Sequence, residues 1–117
     1  MTMYQGGCHC GRVRIEADLE LEGLMTCNCS ICGKTGAIMA FIPREQLKVT
    51  SGEDKQTDYQ FGKRRIHHRF CPVCGVRSYG EGPGPDGKVW AMVNARCLDG
   101  VDVHELPIER RHDGRAD

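Results

Sequence analysis

The chain has 117 residues, with 16 basic and 16 acidic side chains and few aromatic ones (3 Phe, 3 Tyr and 1 Trp). A single domain over 1–117 is the expectation for this length. The even charge balance excludes the basic field that draws in nucleic acid or an anionic membrane. No run approaches the ~18 consecutive apolar residues of a membrane helix.

The predicted elements are almost all strands. Arg12 to Asp18 alternates Val13, Ile15 and Ala17 with polar residues, the period of a half-buried strand. Ala37 to Ile42 is a short apolar run that ends at Pro43, and one helical turn fits between Pro43 and Leu47. Leu47 to Thr50 resumes the β pattern, and Ser51-Gly52-Glu53-Asp54 reads as a turn. Thr57 to Phe61 and Arg64 to Phe70, joined at Gly62-Lys63, read as a hairpin. Gly82 to Gly87 is a loop by its Gly-Pro-Gly-Pro-Asp-Gly chemistry. Lys88 to Ala95 is expected as a central strand with Trp90 in the core, and Val101 to Ile108 as the last strand. Residues 110–117 are polar and expected to fray. No stretch carries a sustained helical period, so the expected class is all-β.

Eight cysteines are the main chemical signal. The N-terminal residues 1–7 lack the basic start and apolar stretch of a secretory leader, so a soluble, cytoplasmic protein is expected. In a reducing compartment such a cysteine density points to metal or redox chemistry before disulfides. Cys8 and Cys10 form a C-x-C, Cys27, Cys29 and Cys32 a C-x-C-x-x-C, and Cys71 and Cys74 a C-x-x-C, with Cys97 apart. Zinc takes thiolates at such short loop spacings. Two close pairs from distant segments make a closed four-ligand site. A triplet on one tight loop leaves its fourth position to water or substrate, or to a further ligand such as His9, His68 or Cys97. Gly11, Gly33 and Gly75 each follow the last cysteine of a group. Such glycines let a loop turn back and aim N–H groups at sulfur.

Competing readings are a disulfide scaffold and a thioredoxin-like Cys71-Pro72-Val73-Cys74 motif. The α-carbons of a C-x-C in an extended strand stand at about the 7 Å limit for bridging, and no helix-forming segment follows Cys74. The basic run Lys63 to Arg69 reads as an exposed hairpin face, or as a counter-charge to a nearby thiolate cluster. Cys97 reads as a small buried apolar residue.

Three motifs resemble those of the glutathione-dependent formaldehyde-activating enzyme and centromere protein V family. They are Gly7-Cys8-His9-Cys10-Gly11, Cys27-Asn28-Cys29-Ser30-Ile31-Cys32-Gly33-Lys34 and His68-Arg69-Phe70-Cys71-Pro72-Val73-Cys74-Gly75. Val93 to Asp99 resembles a late segment of the centromere protein V branch. Gly33 and Ser78-Tyr79 depart from the family pattern. The resemblance implies a β-tent fold of small antiparallel sheets braced by two zinc ions per chain. It implies a structural zinc on Cys8, Cys10, Cys71 and Cys74, and a catalytic-type zinc on Cys27, Cys29 and Cys32. It also implies carbon–sulfur lyase chemistry, in which a small thiol such as glutathione adds to formaldehyde to form S-hydroxymethylglutathione. Lys34, Arg64 and Arg65 are candidate contacts for glutathione carboxylates. The alternative class is a non-catalytic zinc-braced binding module. A fourth protein ligand at the triplet favours the module, and an open position favours the enzyme.

Overall fold

The computed structural model describes residues 2–116. Among the described residues, ten strands form two sheets, and one short helix lies between the third and fourth strands. The strands are β1 (Thr2–Gly7), β2 (Arg14–Leu19), β3 (Leu24–Cys27), β4 (Met39–Pro43) and β5 (Leu47–Ser51), then β6 (Thr57–Tyr59), β7 (His67–Phe70), β8 (Tyr79–Pro83), β9 (Val89–Asn94) and β10 (Ile108–His112). The helix, α1 (Cys32–Thr35), is a single turn. A three-stranded sheet has the order β1-β2-β5 and a seven-stranded sheet the order β10-β3-β4-β9-β8-β7-β6.

The all-β expectation holds, and β9 is the central strand of the larger sheet. The larger sheet is broader than the small antiparallel sheets expected, and it is mixed, because β10 runs parallel to β3. The hairpin from Thr57 to Phe70 forms, with Thr57 opposite Phe70 and Tyr59 opposite His68. Its strands are shorter than predicted, and Arg64 takes a left-handed φ of 55° between them. The turn between Pro43 and Leu47 is a 3-10 turn at Arg44–Gln46. The last strand is displaced. Val103–Glu105 is a 3-10 turn started by the Asp102 side chain, which accepts from the His104 N–H. The strand then runs over Ile108–His112, so Arg110 to His112 are paired rather than frayed.

Period-two alternation gives the larger sheet two unlike faces. One face carries Leu24, Ala40, Ile42, Tyr79, Ala91 and Val93, which pack with Ile15, Ala17, Leu19 and Leu47 of the smaller sheet as the main core. Fully burying a residue of this kind contributes roughly 1.5–3 kcal/mol. The other face carries Met25, Cys27, Met39, Phe41 and Met92. Glycines 80 and 82 on β8 leave a shallow floor beside them. The Glu81 carboxylate on β8 ties β7 to the turn after β4. It accepts from Arg44 Nε at 2.8 Å and Arg69 Nε at 2.6 Å, and these bonds hold it below the usual carboxylate range against the cost of its burial. Arg69 of the basic run is therefore part of the frame, while Lys63, Arg64 and Arg65 form an exposed loop.

Candidate metal centres

Seven of the eight cysteines gather into two groups, Cys8, Cys10, Cys71 and Cys74, and Cys27, Cys29 and Cys32. Within each group every sulfur lies within 4.8 Å of the others. All eight cysteines are free thiols, so the disulfide scaffold discounted above does not form.

The first group is built from two matching turns. After β1, the Cys8 N–H donates to Val13 O and the Val13 N–H returns to Cys8 Sγ at 3.3 Å. After β7, the Cys71 N–H donates to Val76 O and the Gly75 N–H to Cys71 O at 2.8 Å. Gly11 and Gly75 sit at φ of 84° and 77°, where other L-residues are strained. Cys8, Cys71 and Val13 are buried together and make a small core of their own. The turns meet with Cys10 Sγ 3.7 Å from Cys8 Sγ and 3.6 Å from Cys71 Sγ. Four sulfurs at 2.3 Å around a tetrahedral zinc stand about 3.8 Å apart, so the set fits that ion. The thiols differ in acidity. The N–H groups of Val76 and Cys10 bring Cys74 down to about 6. Cys10 keeps the N–H of Arg12, yet burial and its three neighbouring cysteines push it up to about 11.

The second group sits on one local segment. Cys27 ends β3 and Cys32 starts α1. The Cys29 N–H donates to Cys27 Sγ and the Cys32 N–H to Cys29 Sγ, each at 3.4 Å. Burial opposes ionisation of Cys29, but the N–H groups of Cys32 and Ile31 leave it below the usual thiol value. Burial and the neighbouring Cys29 push Cys32 up to about 12. Gly33 does not serve as the turn glycine predicted for it. It lies inside α1, with its N–H on Cys29 O.

Among the described residues, no fourth His, Cys, Asp or Glu joins the second group. His9 is exposed, and Cys97 donates instead to Arg77 O at 3.5 Å. Burial pushes the Cys97 thiol up to about 11. His68 is buried, with Phe61 stacked at 5.6 Å between centroids.

Two parts of this site were missed by sequence reasoning. One is the tail. His112 pairs with Cys27 across β10–β3, the Asn28 N–H donates to His112 O, and the Arg115 N–H donates to Asn28 Oδ1. Gly114 then lies directly on the cysteine loop. A Cβ there would stand 2.6 Å from Cys27 Sγ and 2.7 Å from Cys29 Cβ. The Asp113-Gly114 pair was the only sequence hint. The other is Arg77, 9% exposed, which burial pushes below the usual guanidinium range while Cys32 and Cys29 oppose that. Its signal was a lone cation in the mixed run Val76 to Tyr79.

Two cavities open on this side of the larger sheet. One, of about 550 Å³, is mostly apolar, and Met25, Phe41, Trp90 and Met92 line it. Trp90 is therefore a cavity wall rather than core, fixed by Nε1 donating to Asp86 at 2.9 Å. The second, about 280 Å³, lies against α1 and is lined by Ile31, Thr35, Tyr59, His68, Phe70 and Arg77 among others. Among the described residues, no helix is long and apolar enough to cross a membrane.

The model of the glutathione-dependent formaldehyde-activating enzyme family matches residues 3–109. A Colletotrichum graminicola protein, provisionally named as such an enzyme, is 34% identical over 93 residues, covering 70% of this chain and 48% of that protein. A Schizosaccharomyces pombe protein named as an uncharacterized lyase is 27% identical over 106 residues, covering 87% of this chain and 73% of its own length. A crystal structure of a Rhodobacter sphaeroides protein superposes with a TM-score of 0.82 at 34% identity, covering 92% of this chain and 98% of that one.

Proposed function

The chain belongs to the glutathione-dependent formaldehyde-activating enzyme family, and we propose that it is a zinc-dependent carbon–sulfur lyase working at Cys27, Cys29 and Cys32. In this reading a small thiol, with glutathione as the first candidate, adds to an aldehyde to give a thiohemiacetal. The reverse direction breaks the same carbon–sulfur bond. Cys8, Cys10, Cys71 and Cys74 hold a second zinc that is structural, and the protein works in a reducing, cytoplasmic compartment. The observation that carries the reading is the three-sulfur group with no fourth protein ligand among the described residues, set beside two cavities.

Zinc at the triplet would supply Lewis acidity and favour the thiolate form of a bound thiol. The chain's own residues do the rest. Backbone N–H groups of Cys29 and Cys32 stabilise negative charge on the ligand sulfurs. The Gly114 backbone covers one side of the cluster against water. Met25 and Met92 supply an apolar wall against the cysteine cluster. Arg77 balances thiolate charge from below.

Cobalt in place of zinc tests this reading, because its thiolate charge-transfer bands report on coordination. Glutathione should perturb the bands and S-methylglutathione, which forms no thiolate, should do so much less. Adduct formation must exceed the uncatalysed rate. Fixed bands at millimolar glutathione, with no rate above background, would remove glutathione as the substrate.

A further inference from the structure

Arg77 and His68 are buried side by side in the lining of the second cavity, and each has a polar atom without a partner among the described residues. Arg77 is 9% exposed and His68 is 5% exposed. Arg77 Nε and Nη1 and His68 Nδ1 have no hydrogen-bond partner among the described residues. Buried donors of this kind cost about 1–3 kcal/mol each unless a ligand or water answers them. Both side chains line the same cavity of about 280 Å³.

The surroundings fix both groups in place. The Arg77 carbonyl accepts from Asn94 Nδ2 at 3.0 Å and from Cys97 Sγ, which pins its backbone beside β9. Its guanidinium passes over Gly80, where a Cβ would stand 3.2 Å from Nη2. A side chain at position 80 would crowd it. His68 is held by the Phe61 ring on one side and flanked by Tyr59. Arg77 also lies beside Cys32, so whatever it binds sits next to the three-cysteine cluster.

We propose that this cavity is an anion subsite that takes the carboxylate of a short aldehydo acid, and that such an acid is the carbonyl partner of the thiol. Formaldehyde has no group that would use a buried guanidinium, which favours planar carboxylates through paired N–H donors. Glutathione's nearer free carboxylate is six bonds from its sulfur, whereas the carboxylate of a two- to four-carbon aldehydo acid is one to three bonds from the carbonyl carbon that the thiol attacks, which suits an Arg77 lying beside Cys32. Ile31, Tyr59 and Phe70 provide the apolar walls for its short carbon chain. The step balances without an oxidant. The thiol sulfur bonds to the carbonyl carbon, the C=O π bond breaks, and the thiol proton ends on that oxygen. The identity of the reacting groups rests on the lyase reading, whereas the anion subsite rests on Arg77 and His68.

The test uses the full zinc-loaded chain and has two arms. The first follows the Arg77 Nε–H resonance by ¹H–¹⁵N NMR while propionate or propionamide is added, and it needs no variant. A saturable shift with propionate alone is expected, with no such shift in Arg77→Gln. No response to propionate overturns the subsite. A response to both propionate and glutathione, with propionate displaced by glutathione, makes the anion the tripeptide's own and overturns the aldehydo acid. The second arm compares glyoxylate with acetaldehyde, each with glutathione, above the uncatalysed rate. A preference of at least about tenfold in kcat/KM for glyoxylate is expected. The ratio of the two kcat/KM values, measured within Arg77→Gln, should fall to parity. Equal rates in the wild-type protein overturn the aldehydo acid. A propionate response with neither aldehyde turned over leaves the subsite standing and overturns the aldehydo acid, and formaldehyde run in the same assay separates that outcome from a failure of the lyase reading.

Discussion

The four-cysteine group joins residues 61 positions apart, Cys10 and Cys71, whereas the three-cysteine group lies on one loop between β3 and α1. The first therefore clamps the turn after β1, on the smaller sheet, to the turn after β7, on the larger one. Among the described residues only an isolated bridge, Gly6 to Leu98, otherwise links β1 to the rest through backbone pairing outside its own sheet. Clamping so long a loop removes about 4 kcal/mol of unfolded-chain entropy if a metal clip acts like a covalent one. The second group closes almost no loop. Its order comes from N–H···S bonds, α1 and the tail. In the proposed reading the same ligand type does a folding task in one place and leaves room for chemistry in the other.

The largest expected effect breaks the clamp. Cys74→Ser removes one of four ligands, and structural zinc contributes on the order of 10 kcal/mol in small peptides. That rivals the whole stability of a domain. Poor expression or loss of a cooperative melting transition is expected. Cys29→Ser should lose one metal ion and keep the fold by circular dichroism. Equal damage from the two substitutions would erase the distinction.

Gly114→Val sharpens the comparison from the other side. Its side chain would collide with Cys27 Sγ and Cys29 Cβ, so the tail must lift away. Metal affinity at the triplet should fall about tenfold or more, the usual scale for losing supporting contacts around a metal site. Chelator competition should show the four-cysteine metal unaffected. If both metals weaken alike, the tail supports the whole fold rather than this loop.

A smaller effect concerns pH. Burial, then the charge of Arg77, lowers His68 to about 4 from its ordinary 6.5. His68 is neutral when folded at pH 5 and gains a proton on unfolding. Its contribution is complete above about 6.5 and is lost as pH falls toward 4. The difference in Tm between the wild-type protein and His68→Gln should shrink over that window. A difference that stays constant would contradict the burial argument. Smallest of all, Cys97→Ala should leave metal content unchanged and cost about 1 kcal/mol. Loss of a metal in that variant would make Cys97 a ligand.

The cysteine grouping was legible because short spacings bring ligands together with little help from the rest of the fold. Alternating burial made β2 legible too, as buried Ile15, Ala17 and Leu19 alternate with partly exposed neighbours. Three strands carried no such signal. β1 reads Thr-Met-Tyr-Gln-Gly-Gly, where its two glycines allow close approach, Gly6 to Cys97 O and Gly7 to Val13 O. β8 reads Tyr-Gly-Glu-Gly-Pro and looks like loop, although Gly80 makes room for Arg77 and Gly82 for Arg65 and Ile66. β10 is charged because it is an exposed edge, so polarity alone suggested fraying. Arg77 and Gly114 act through contacts with residues far away in sequence, and no local pattern announces such contacts.

The most direct test of two metal sites of different construction is zinc X-ray absorption combined with elemental analysis of the wild-type protein. The account predicts two zinc ions per chain that share the seven sulfurs of the two groups, with one light-atom ligand at the triplet. In Cys29→Ser one zinc with four sulfurs should remain. A single zinc per chain, or two ions sharing eight sulfurs, would contradict it.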